Sequence, residues 1–131
     1  MAVLDTHAAI WYVFDRKQLS RAALQHIRRA VEGGRPVLVS AVSIVETIYL
    51  IERGRIPVEA IQRINEGLRD PLSGLQVTPV DEGVAEAVYR VPRSIVADMP
   101  DRIIAATALH LGMPLVTRDA RIQAAGVETI W

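Results

Sequence analysis

Apolar runs of strand length, each followed by a helical pattern, constrain this chain most. The candidate strands are Val3-Leu4, Val37-Leu38-Val39, Leu75 to Val80, Leu115 to Thr117 and Val127 to Ile130, and the first, second and fourth of them are apolar without alternation, the signature of strands covered on both faces. Between them lie helices with legible ends. Ser20 caps one whose stripe is Leu24, Ile27 and Val31 and which stops at Gly33-Gly34. A second spans Ser40 to Glu52, apolar around its circumference and so expected to be packed on both sides. Pro57 opens an amphipathic helix with Val58, Ile61, Ile64 and Leu68 on one face, ended by Asp70-Pro71. Asp81 caps another carrying Val84, Ala87, Val88 and Val91; Asp101 to Leu111 and Ala120 to Ala125 complete the series, with Pro92 to Pro100 as a loop. Strands alternating with helices imply an α/β fold with a parallel sheet between two helical layers. The 131 residues, half of them hydrophobic, suit one compact domain over 1–131, with no internal repeat or linker.

Carboxylates interrupt this apolar frame at four places. Asp5 and Asp119 end the first and fourth strands, while Glu46 and Asp101 sit in helices that otherwise read as buried. A charge beside a core must be paired, coordinated or neutralised. In an open parallel sheet, ligands bind beyond the carboxyl ends of the strands where strand order reverses, so adjacent first and fourth strands would bring Asp5 and Asp119 together. Glu46 and Asp101 reach the same rim if their helices begin there. Four oxygen donors with no cysteine and no second histidine at ligand spacing point to Mg²⁺ or Mn²⁺, ions that bind few carboxylates together with substrate phosphate. Each acid also has an ordinary reading: Asp5 and Asp119 as caps, Glu46 as a partner of Arg53 or Arg55. Asp98-Met99-Pro100-Asp101 has the form of a capping arrangement in which one acid caps and the other coordinates, position favouring Asp101 as the ligand. Hydroxyls of Thr6, Ser43 and Thr117 are placed to hold a carboxylate, a water or a phosphate. His7, next to the site, reads as a packing or surface residue rather than a general base, and Trp11 and Trp131 read as core or edge residues rather than base-stacking platforms.

Composition narrows the classes. Formal charge is zero, with 15 Lys+Arg against 15 Asp+Glu, which argues against a protein that coats nucleic acid and leaves a nuclease open. With the four acids set aside the remainder is net basic, and Lys17 is its sole lysine, so arginine's planar fork is the available phosphate receptor. The longest late stretch without Asp, Glu, Lys or Arg, Ile103 to Thr117, is too short to span a bilayer. A cytoplasmic protein, neither exported nor membrane-inserted, is expected.

Leu4-Asp5-Thr6-His7, Ser43-Ile44-Val45-Glu46, Asp101-Arg102-Ile103-Ile104-Ala105-Ala106-Thr107-Ala108 and Leu115-Val116-Thr117-Arg118-Asp119 resemble, in order, the four acidic motifs of the PIN-domain family. The likeness spans essentially the whole chain and is strongest to VapC-type toxins of bacterial toxin–antitoxin pairs, including the loop Asp98 to Arg102 and the ending Gly126 to Trp131. The resemblance implies a three-layer α/β/α sandwich, a homodimer, and a Mg²⁺- or Mn²⁺-dependent endoribonuclease whose RNA substrate is cut by an activated water. Asp5, Glu46, Asp101 and Asp119 would take the acidic places, supported by Thr6, Asp98 and Thr117. It also implies a small antitoxin whose basic tail crosses the rim, with the apolar positions of Ala8 to Phe14 and Pro57 to Leu68 as groove-lining candidates or, equally, core or dimer contacts. A PIN nuclease or scaffold of RNA maturation is the alternative. A phosphate-transfer receiver domain lacks its late lysine here, and a haloacid-dehalogenase-like phosphatase would need a second Asp where His7 stands.

Overall fold

A computed structural model describes residues 1–131. Strands β1 (Ala2–Leu4), β2 (Val37–Ser40), β3 (Leu75–Thr78), β4 (Leu115–Val116) and β5 (Thr129–Ile130) form one sheet in the order β3-β2-β1-β4-β5, every pairing parallel. Seven helices flank it: α1 (Thr6–Phe14), α2 (Arg21–Glu32), α3 (Ala41–Glu52), α4 (Glu59–Arg69), α5 (Glu82–Ala87), α6 (Met99–Leu111) and α7 (Ala120–Ala124). No helix is long and apolar enough to cross a membrane.

The buried runs split by the two-residue period of a strand. Ala2, Leu4, Val37, Val39 and Val116 pack with Ala8, Ala9 and Tyr12 of α1 and with Ala23, Ile27 and Ala30 of α2. Val3, Leu38 and Leu115 turn the other way, onto Ile104, Ala105 and Ala108 of α6, with Ala87 and Ile122. Alanines along α6 let that helix approach the sheet closely. Two apolar layers on opposite faces of one parallel sheet make the α/β/α sandwich. The chain runs outward from β1 through β2 to β3, then returns to build β4 and β5 on the other flank. Its switch point therefore lies between β1 and β4. The Asp5 amide donates to the Val116 carbonyl at 3.1 Å and fastens the loops after these two strands together.

Several boundaries differ from the sequence reading for local reasons. β3 stops at Thr78 because Pro79 has no amide to continue the ladder. α6 begins at Met99, two residues early, because Asp98 caps it and Pro100 is tolerated in a first turn. Pro57 forms the turn before α4 rather than its first turn, its carbonyl accepting from the Ala60 amide. In β5 only Thr129 and Ile130 join the ladder, while Val127 enters the core. The groove proposed from Ala8 to Phe14 and Pro57 to Leu68 is largely filled: Ile10 of α1 packs with Ala60 and Ile64 of α4, backed by Val13, Leu50, Ile56 and Leu68.

The largest departure is α3. Its buried side chains are Ser43 and Thr47, whereas Val45 (52%), Ile48 (43%) and Tyr49 (55%) are exposed. The helix is apolar around most of its circumference, yet its fully buried positions are hydroxylated, with Val42 and Leu50 packing beside them and the face of Val45, Ile48 and Tyr49 open. Thr47 donates to the Ser43 carbonyl and Thr6 donates to the Ser43 hydroxyl at 3.1 Å, so α1 and α3 meet through buried hydroxyls beneath the strand ends.

Gly74, just before β3, has φ +73°, and a Cβ there would lie 2.7 Å from Val31 Cγ2 of α2. Gly74→Ala meets both a disfavoured backbone region and an overlap. It should destabilise the protein by more than about 1 kcal/mol, read as a lowered midpoint in urea unfolding.

Candidate active site

Helices α1, α3 and α7 start where β1, β2 and β4 end, and α6 starts on the same rim. Each opens on a residue whose short oxygen side chain satisfies a free amide. The Ala8 amide donates to Asp5 Oδ1 at 2.7 Å, the Val42 amide to Ser40 Oγ at 3.2 Å, the Asp101 amide to Asp98 Oδ2 at 3.1 Å, and the Arg121 amide to Asp119 Oδ1 at 2.9 Å. The starts of α1, α6 and α7 thus converge with their carboxylates on one open cleft of about 430 Å³, which Glu46 joins from the second turn of α3.

Asp5, Glu46, Asp98, Asp101 and Asp119 all line this cleft, together with Thr6. The tightest grouping is Glu46, Asp98 and Asp101, whose carboxylate oxygens lie within 4.8 Å of one another. Asp98, read from sequence as either a cap or a ligand, is placed for both. Glu46 is half-buried, not enclosed, and neither Arg53 nor Arg55 pairs with it. Thr117 is buried, and its hydroxyl oxygen accepts from the Asp119 amide at 3.0 Å, fixing the loop that carries Asp119.

Burial pushes the Asp5 carboxyl above its ordinary range, against the opposing pull of the Thr117 hydroxyl and the Ala8 amide. Asp101 is pushed up to about 7, first by burial and then by the charges of Asp98, Glu46, Asp5 and Asp119. Such a cluster is under electrostatic strain that a cation would relieve.

Asp119 behaves differently. Arg121 Nε donates to its Oδ1 at 3.1 Å and Nη2 to its Oδ2 at 2.8 Å, a two-point ion pair that holds its carboxyl below the usual range. This is the only ion pair in the structure. The sequence reading missed Arg118 and Arg121 as cleft residues, gave His7 beside the site a packing or surface place and read Trp11 as core or edge; all four line the site. The available signal was proximity, since both arginines flank Asp119 and His7 and Trp11 share a face of α1 one turn apart.

A carboxyl whose pKa is raised on folding binds more protons folded than unfolded, so stability falls as pH rises from about 4 to about 7. Asp101→Asn removes this penalty. With solvent screening of a partly exposed group, the gain is on the order of 1 kcal/mol at neutral pH, or roughly 3–5 °C in the melting temperature of metal-free protein. The difference between variant and wild type should vanish near pH 4, as followed by circular dichroism melts.

An acidic cleft lies at the switch point of a parallel α/β/α sheet, the usual place of a ligand site in such folds, and three of its oxygen donors are close enough together to hold one hard cation. The chain belongs to the PIN-domain family, whose model matches residues 2–128. It is 36% identical over 126 residues to Ribonuclease VapC22 of Mycobacterium tuberculosis (strain ATCC 25618 / H37Rv), covering 92% of this chain and 88% of that protein. Its fold is similar to a chain in VapBC2 from Rickettsia felis bound to a DNA fragment from their promoter (TM-score 0.73, 11% identity, 98% and 96% of the two chains). It is also similar to a chain in DNA-bound VapBC from Salmonella typhimurium (TM-score 0.66, 20% identity, 98% and 97%).

Proposed function

We propose that this chain is a Mg²⁺- or Mn²⁺-dependent endoribonuclease acting as the toxin of a toxin–antitoxin pair, built as one PIN domain over residues 1–131. The observation that carries the reading is the cluster of Glu46, Asp98 and Asp101 within 4.8 Å, beside a half-buried Asp5, on the switch-point rim. The 36% identity to a ribonuclease over most of both chains supports RNA as the substrate. The donor set fits a hard divalent ion: carboxylate oxygens only, three of them within 4.8 Å of one another at an open rim.

Asp5, Glu46 and Asp101 would hold the ion, with Asp119 joining when Arg121 releases it. When bound, a divalent ion supplies a deprotonated water and offsets charge on the phosphorus centre and leaving oxygen. The protein's part is positioning. The Ala8 amide fixes the rotamer of Asp5, the Thr117 hydroxyl orients the Asp119 loop, and the Thr6–Ser43 hydrogen bond keeps α1 and α3, and so Asp5 and Glu46, in register. Asp98 stays with the Asp101 amide and keeps the α6 turn in place as the cluster's charge changes. Arg121 and Arg118 offset repulsion between the acidic rim and a polyanion.

The same acidity suits an arginine or lysine from a small cytoplasmic antitoxin, and likeness to chains in VapBC assemblies supports such a partner. The exposed Val45, Ile48 and Tyr49 of α3 offer apolar surface for partner or homodimer contacts, in place of the groove that α1 and α4 fill. Purified protein incubated with total RNA should give discrete cuts with Mg²⁺ or Mn²⁺ and none with chelator. Expression alone should arrest growth, and co-expression with the small protein encoded beside it should restore growth. Metal-dependent cuts from a chain that is harmless when expressed alone would favour the RNA-maturation reading.

A further inference from the structure

The cleft has a second wall of a different chemistry. His7 and Trp11 stand one turn apart on α1 with ring centroids 5.5 Å apart; Trp131 approaches Trp11 at 5.8 Å, and the Arg118 guanidinium carbon lies 5.0 Å from the Trp11 ring centre. His7, Trp11 and Arg118 line the same cleft as Asp5 and Asp119. Trp11 is half-buried against the core that α1 and α2 share with the sheet, so its position is fixed, while His7 and Arg118 are exposed. Arg118 sits between Thr117 and Asp119, whose hydrogen bond anchors the loop, and it has no carboxylate partner.

A guanidinium held over an indole presents a flat, cationic outer face beside an imidazole. Unpaired nucleobases stack on such surfaces, whereas bases inside a duplex already have both faces covered. We propose that His7, Trp11 and Arg118 form a base-holding lip that seats one unpaired RNA nucleotide beside the phosphate lying over the carboxylates. This substrate selection rests on the ribonuclease reading above. It makes these three side chains specificity-determining residues and directs cutting to single-stranded segments.

The test uses Asp5→Asn protein in chelator, so that binding is read without cleavage. Trp131→Phe in the same background leaves Trp11 as the sole tryptophan, and its fluorescence reports the lip. A single-stranded RNA oligonucleotide of about eight nucleotides should quench this signal, and its duplex should not. Arg118→Ala should raise Kd by about tenfold, the order expected for losing one stacked base. Arg118→Lys keeps the charge and loses the plane, so it should remain as weak as Arg118→Ala. Wild-type affinity in Arg118→Lys, or equal quenching by duplex RNA, overturns the lip. Cleavage by protein carrying Asp5 separates the two ideas: metal-dependent cutting with no effect of Arg118 on binding sinks the lip alone, and stacking without any cutting sinks the ribonuclease reading alone.

Discussion

Asp5→Asn and Asp101→Asn proteins are expected to fold like wild type and to cut RNA at least ~10³-fold more slowly, the rate equivalent of the several kcal/mol a coordinated ion contributes at a phosphoryl centre. The substitution preserves shape. Asparagine retains a side-chain carbonyl to accept the Ala8 amide that now reaches Asp5 at 2.7 Å, and Asn caps helices as well as Asp does. Only the negative charge and one strong donor are lost, so the effect falls on coordination. Single-turnover cleavage of a labelled RNA measures it, with far-ultraviolet circular dichroism confirming the fold. Wild-type turnover in purified Asp5→Asn would remove the carboxylates from the chemistry.

The second large effect is on stability. Mn²⁺ at about 100 times its Kd adds about 2.7 kcal/mol of linkage free energy, provided the unfolded chain does not bind it. For a domain of this size that corresponds to a melting-temperature rise of about 10 °C. Glu46→Gln or Asp101→Asn should reduce the rise by more than half, since each takes a donor from the cluster within 4.8 Å. Arg121→Ala should leave intrinsic stability nearly unchanged, because the arginine is exposed, while tightening Mn²⁺ binding by freeing both oxygens of Asp119. Equal metal-induced shifts in wild type and Asp101→Asn would place the bound ion elsewhere on the protein.

The strands and the acids near their ends were legible because they rest on local signals, whereas the adjacency of β1 and β4 that sets the switch point was a condition the sequence left open. Val3-Leu4 and Leu115-Val116 are short apolar runs of strand type, with Asp5 directly after the first and Asp119 three residues after the second. What escaped the sequence depends on packing between distant segments or on partners outside the chain. The apolar circumference of α3 reads as buried on both sides, whereas Val45, Ile48 and Tyr49 are about half exposed. The face of α4 reads as a docking groove until Ile10 of α1 is seen to fill it. Glu46 looked enclosed because its neighbours in sequence are apolar, but it stands at an open rim. The Asp119–Arg121 pair spans two residues, a spacing that lacks the i, i+4 signature of helical ion pairs and forms only because Asp119 is a cap.

That three of the five rim carboxylates also begin helices bears on how the site would decay. A descendant released from selection for cleavage would still need an oxygen side chain at Asp5, Asp98 and Asp119 to close α1, α6 and α7. Asn or Ser would suffice there, and change would be slow. Glu46 and Asp101 cap nothing, and Asp101 weakens the folded chain while no cation is bound, so both would drift early. In a relative whose activity is in question, retained aspartates at the helix starts are therefore poor witnesses to catalysis. The side chains corresponding to Glu46 and Asp101 carry that record.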